Sequence, residues 1–178
     1  MFDKSYRVEG KHAHYIKFLN AYQRQLDKTN YGKNAGILPL AIDVYVVAPL
    51  IGVAYNRLAA VDNESSDYTN IFAEQIIKYQ KQLDTVYRLV MLSERTSELT
   101  DDERVTRAFR DDENPPKLSV NLDLFHQYMR GGVEWLYEQV TDDGGATTQE
   151  DYLKRIVELV NQFTDDFDLS EMKTDFFD

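Results

Sequence analysis

Ile37-Leu-Pro39-Leu-Ala-Ile-Asp43-Val-Tyr-Val-Val-Ala-Pro49-Leu-Ile-Gly52-Val-Ala-Tyr55 carries one charge, Asp43, in 19 residues. Three structures suit such a run. A membrane span is disfavoured, because a carboxylate near mid-helix costs about 2.5–3.5 kcal/mol on insertion scales and two prolines and a glycine add strain. A strand is suggested by the β-branched run Ile42–Val47, but no second segment shares that composition to pair with it. A helix apolar on every side, buried at the centre of a bundle, is the remaining reading. The segment 37–61 is therefore predicted to be a central helix, kinked near Pro49 where the ring removes a backbone hydrogen bond.

Outward from that segment, apolar residues recur in steps of three and four, which keep side chains on one helical stripe. Tyr15, Phe18, Tyr22 and Leu26 form one stripe, and Phe72, Ile76, Tyr79, Leu83, Val86 and Val90 another. Leu118, Leu122, Phe125, Met129, Val133, Leu136 and Val140 form a third, and Leu153, Ile156, Val160 and Phe163 a fourth. Thr100-Asp-Asp-Glu103 and Thr147-Thr-Gln-Glu150 read as capping boxes that start two of these helices. Gly131-Gly132 interrupts the third stripe at a cost of about 1–2 kcal/mol in helix propensity. Close approach of the 37–61 helix would offset that cost. The expectation is an all-α, single-domain bundle of about five or six helices over residues 1–164, followed by a tail over 165–178.

Composition restricts the chemistry. The chain has 178 residues, no cysteine and a net charge of −11. Disulfides, thiol nucleophiles and cysteine-based metal sites are excluded, and the sign is wrong for a nucleic-acid binder. A di-metal bundle requires two Glu-x-x-His motifs on facing helices, and the nearest match is a single Asp123-x-x-His126. His12 and His14 point to different helix faces. Gly131-Gly132 lacks the strand and lysine of a phosphate loop. No cofactor or metal is expected, no catalytic residue is assigned, and enzymatic activity has no positive support. The N-terminus lacks the apolar stretch of a secretory signal, so the expected location is cytoplasmic.

Three features invite a role. Asp43, placed in an apolar helix, is expected to be buried and ion-paired with Arg104 or Arg107. A pocket built on Asp43 would be the basis of an enzymatic reading. Arg104, Arg107 and Arg110 lie three apart on one ridge; they are expected to pair internally, with an acidic protein partner as the alternative. The last 14 residues hold five Asp, one Glu and one Lys, interleaved with Phe167, Leu169, Met172, Phe176 and Phe177. That run resembles in composition the acidic, Phe-bearing tip of bacterial single-stranded-DNA-binding proteins, without their Ile-Pro-Phe ending. Its apolar residues suit a basic-rimmed apolar groove on a protein partner, or the chain's own bundle. The expected function is thus a non-enzymatic accessory or adaptor protein working by protein–protein contact, without direct contact to nucleic acid or membrane. Self-association is compatible with it. An acidic mimic of nucleic acid, inhibiting a DNA-binding enzyme, is the competing expectation.

Overall fold

The computed structural model describes residues 1–20, 35–141 and 148–166. Among them the chain is mostly helical. The described residues form seven α-helices, one short 3-10 turn and one two-stranded sheet.

The longest helix, α6 (Pro115–Thr141), is the spine. Its 27 residues span roughly 40 Å at 1.5 Å per residue. Two prolines open it, where a missing N–H costs nothing. The expected stripe is its core face: Phe125, Met129, Val133, Leu136 and Val140 are buried, with Tyr128 beside them. Packed along it is α2 (Ala41–Ala54), the apolar helix expected from the sequence. The glycines explain the closeness of the pair. A Cβ on Gly132 would land on the Ala48 carbonyl oxygen, one on Gly131 on the Arg57 carbonyl, and one on Gly52 on the Tyr128 carbonyl. Backbone meets backbone at three points, and only glycine permits it.

The helix is shorter than the predicted 37–61. Leu40 is extended at its start, an N-cap whose N–H donates to the Asp43 carboxylate (2.9 Å). At its end Asn56 takes a positive φ of 49°. The Arg57 N–H donates to Gly52 O (2.7 Å) and the Asn56 N–H to Val53 O (3.2 Å), which is a Schellman stop. Residues 42–47, the one stretch where a strand was considered, are helical.

The sheet lies elsewhere. Strand β1 (Tyr6–Glu9) pairs antiparallel with β2 (Tyr68–Ile71), Tyr6 opposite Ile71 and Glu9 opposite Tyr68. Val8 and Ile71 point into the core, while the Arg7 guanidinium lies 4.1 Å from the centroid of the Tyr68 ring. Helix α1 (Lys11–Leu19) follows β1 through Gly10, whose φ is 67°. Of the first stripe, Phe18 is buried; Tyr22 and Leu26 lie outside the described residues.

The second stripe divides at Tyr79 into α3 (Ala73–Lys78) and α4 (Gln80–Ser93). Ile76, Leu83, Val86 and Val90 are buried, whereas Phe72 caps α3 and is exposed. Helix α5 (Asp101–Phe109) starts as predicted: the Glu103 N–H reaches Thr100 Oγ1, and Glu103 Oε2 accepts from the Thr100 N–H (2.8 Å). The last helix, α7 (Gln149–Asp166), starts one residue later than expected. Its reciprocal cap joins Thr148 and Asp151 rather than Thr147 and Glu150. It also runs through the boundary expected between 164 and 165.

Candidate interaction surface

Asp43 is not the buried ion-pair partner expected. It lies in the first turn of α2 and is only partly buried. Its carboxylate accepts from the Leu40 backbone N–H (2.9 Å) and faces Tyr79, whose phenol its charge and hydrogen bond push up in pKa. A carboxylate here suits the positive end of the helix. Arg104 and Arg107 serve a different acid, Glu94, at the far end of α4 from Tyr79. The 14 residues of α4 lie between them, a rise of roughly 22 Å from Tyr79 to Glu94.

Glu94 is 1% exposed. Its Oε1 takes Arg107 at 2.7 Å and Arg104 at 3.4 Å. Its Oε2 accepts from the Thr96 hydroxyl (2.7 Å), the Thr96 N–H (2.9 Å) and the Ser97 N–H (3.2 Å). Burial pushes the carboxyl up, but the Ser97 and Thr96 hydrogen bonds and the Arg107 charge together hold it below its ordinary value. Arg104 also donates to Ser97 O (2.8 Å) and Arg107 to Asn121 Oδ1 (2.8 Å). These two arginines tie the 94–100 turn and α5 to α4 and α6. Only Arg110 of the three is fully exposed. Internal pairing was anticipated for the arginines; the acid was misassigned. Its signal was present, since Glu94 is the next step, four residues on, of the stripe ending at Val90.

The histidines are likewise built in. Tyr6 stacks on His126 at 4.0 Å, and Tyr45 Oη lies 2.8 Å from His126 Nε2. Burial, with the Arg130 charge, pushes His126 down to about 3, so its ring is neutral; burial raises Tyr45, which keeps its proton and donates. His12, fully buried, meets Glu134 at 2.9 Å. Among the described residues no group of three or more His, Cys, Asp or Glu side chains is placed to hold a metal ion.

An apolar surface is left over, made by α2, α6 and α7. Beyond Asp43 in its first turn, helix α2 is apolar around its whole circumference, which is expected of a helix enclosed on all sides. Its inner face, Ile42, Val44, Ala48 and Gly52, is buried; Val46, Val47, Leu50, Ile51 and Val53 on the outer face stay partly exposed. Yet among the described residues no helix is long and apolar enough to cross a membrane.

Helix α7 continues this surface. The fourth stripe was expected to bury Leu153, Ile156, Val160 and Phe163. The helix is turned by about one residue: Tyr152 and Leu159 are buried, Ile156 and Phe163 partly so. Phe18 meets Tyr152 edge-on at 5.7 Å, and Arg155 Nε donates to Gln139 O (2.8 Å), fixing that orientation. Leu153, Val157 and Val160 are left 55%, 60% and 59% exposed. At 100° per residue the apolar arc of α7 covers roughly 160°, and the bundle covers less than half of it.

Between α7 and the bundle runs a groove of about 420 Å³. Val47 and Ile51 of α2 form one wall, Ile156 and Val160 of α7 the other, with Trp135 and Leu136 as floor. The Tyr55 ring stacks on Trp135 at 4.4 Å and meets Phe163 at 6.4 Å, closing one end with aromatics. Thr164 is the one polar residue among the described residues lining it. Phe167, Leu169, Met172, Phe176 and Phe177, named from the sequence as partner-binding, lie outside the described residues. The chain matches no known family model, curated protein or solved structure.

Proposed function

We propose that this protein is a cytoplasmic, non-enzymatic accessory subunit that works through protein–protein contact, with the outer faces of α2 and α7 as its contact surface. One observation carries the reading. Leu153, Val157 and Val160 form a solvent-facing apolar strip on α7, continuous with the uncharged groove and the outer face of α2. Single exposed apolar residues are ordinary on soluble proteins, but a contiguous strip beside an apolar groove marks an interaction site. Tyr55 and Trp135 at the groove's end are residue types enriched where interfaces are strongest. A bend of α2 at Pro49 would fan its outer side chains further toward a partner.

The acidic segment 165–178 adds a second contact of a different kind, its apolar residues seating in a basic-rimmed groove on the partner. Arg110, exposed at the C-terminal cap of α5, is available to an acidic one. The two modes respond oppositely to salt: charge contacts weaken as it rises, apolar ones do not.

Quantitative capture from native lysate tests the reading, comparing the full chain with Val157→Asp and Leu153→Asp. These positions are exposed, so the variants should keep the wild-type helical spectrum. The expected result is a stoichiometric partner whose recovery falls at least tenfold with either substitution. Capture unchanged by both would refute the assignment of this surface.

A further inference from the structure

We infer that the apolar strip of α7 pairs with the same strip on a second copy of this chain, in an antiparallel helix–helix contact about a two-fold axis near Val157 and Val160. The inference rests on the contact role proposed for this surface, and names one occupant for it.

Spacing comes first. Leu153, Val157 and Val160 step by four and three, the seam on which a second helix seats its side chains. Shape comes next. The strip is a ridge, and the groove between α7 and α2 lies directly beside it, sharing Val160. A two-fold contact must be self-complementary, and a ridge next to a groove meets that condition: each copy's α7 lies along the other's groove.

Area sets how much of each copy such a contact must cover. The three side chains expose on the order of 300 Å² per copy, short of the roughly 800 Å² per partner of a standard interface. Val46, Val47, Leu50 and Ile51 on the adjoining face of α2 extend the patch. A short coiled coil alone would therefore not suffice, whereas α7 packed over both α7 and α2 of a second copy brings in the larger surface.

Charge discriminates between occupants. Two chains of net −11 repel at a distance, yet the flank of the strip is locally neutral. Lys154 pairs with Glu150 at 3.3 Å and Arg155 with Glu158 at 3.3 Å within the helix. The main competitor is the segment 167–178 of the same chain, which carries an acid at every third or fourth residue and a single lysine. The described lining of the groove offers it no cation.

Sedimentation equilibrium on the full chain, from about 1 to 300 µM, tests this at low and high salt. The expected result is a monomer–dimer equilibrium that tightens as salt rises, because screening removes repulsion between like-charged copies. Val157→Asp should weaken it at least a hundredfold. The chain has no cysteine, so Val157→Cys under mild oxidation should give a disulfide-linked dimer, and Thr85→Cys on the exposed face of α4 should not. A monomer at every concentration overturns the inference. So does a dimer indifferent to Val157→Asp, or a disulfide closed within one chain rather than between two when Val157→Cys is combined with Phe176→Cys. A monomer that still loses its captured partner on Val157→Asp refutes self-pairing alone; unchanged capture refutes the contact role itself.

Discussion

Replacing Glu94 with alanine is the severest single test of how this bundle is held together. The carboxylate is buried and takes five contacts from Arg104, Arg107, Thr96 and Ser97. Its removal leaves two largely buried guanidinium groups short of their counter-charge. Breaking a buried pair from one side costs about 3–5 kcal/mol. The loss here belongs in the lower part of that range, because Arg104 keeps Ser97 O and Arg107 keeps Asn121 Oδ1. With a urea slope of about 2 kcal/mol per molar, a loss of about 3–4 kcal/mol lowers the midpoint by about 1.5–2 M. Glu94→Gln preserves shape and should cost about half as much. The pH dependence follows from the carboxyl being held below its ordinary value in the fold. The unfolded chain takes up the proton first as pH falls, so the stabilisation is complete above about pH 4.5 and is lost as pH drops through the folded value. Urea melts monitored by circular dichroism at pH 7 and pH 4 read both effects. A Glu94→Ala midpoint within about 0.2 M of wild type would show that the network contributes nothing and that the arginines are held by packing.

Three further outcomes are expected. His126, held near 3 by burial, stays almost free of its proton in the folded chain from pH 6.5 down to about 4, whereas the unfolded chain takes one up. Stability should fall by about 2 kcal/mol on going from pH 7.5 to pH 5 on this account alone, and His126→Gln should flatten that part of the profile. Gly132→Ala drives a methyl into the Ala48 carbonyl; because backbone cannot rotate away, α2 and α6 must part, at about 3 kcal/mol or more in a chemical melt. Asp43→Ala removes a first-turn carboxylate and its bond to the Leu40 N–H, a loss of about 1 kcal/mol, so a loss as large as that at Glu94 would restore Asp43 to the core.

Much of the bundle was legible in the residues, and the failures have physical causes. Gly131-Gly132 announced a close helix contact because two glycines inside a strong stripe are costly unless backbone approaches there. The apolar run 37–55 announced a helix, but its ends depended on local chemistry at Leu40 and Asn56 that periodicity does not register. Four-residue strands such as Tyr6–Glu9 are too short to leave a pattern. Asp43 was misread because a lone acid in an apolar run looks buried, when its place three residues after the extended Leu40 makes it a first-turn acceptor. Glu94 was overlooked for the converse reason, since a charged residue on the buried stripe breaks the apolar pattern that picks out core positions. On α7 seven apolar residues spread over a wide arc, so spacing alone could not choose the half that faces the bundle. That ambiguity is itself the signature of a helix with two apolar contacts, one inside the chain and one outside it.

The measurement closest to the central claim places a photo-reactive phenylalanine analogue at position 157 of α7, and in a second variant at position 85 of α4, in the otherwise intact chain. Both sites are exposed, so they differ in their surroundings rather than in access to solvent. Irradiation in native lysate should give abundant adducts to another polypeptide, a second copy included, from position 157 and few from position 85. Equal yields at the two positions, or none at 157, would contradict the assignment of the α2–α7 surface as the protein's contact face.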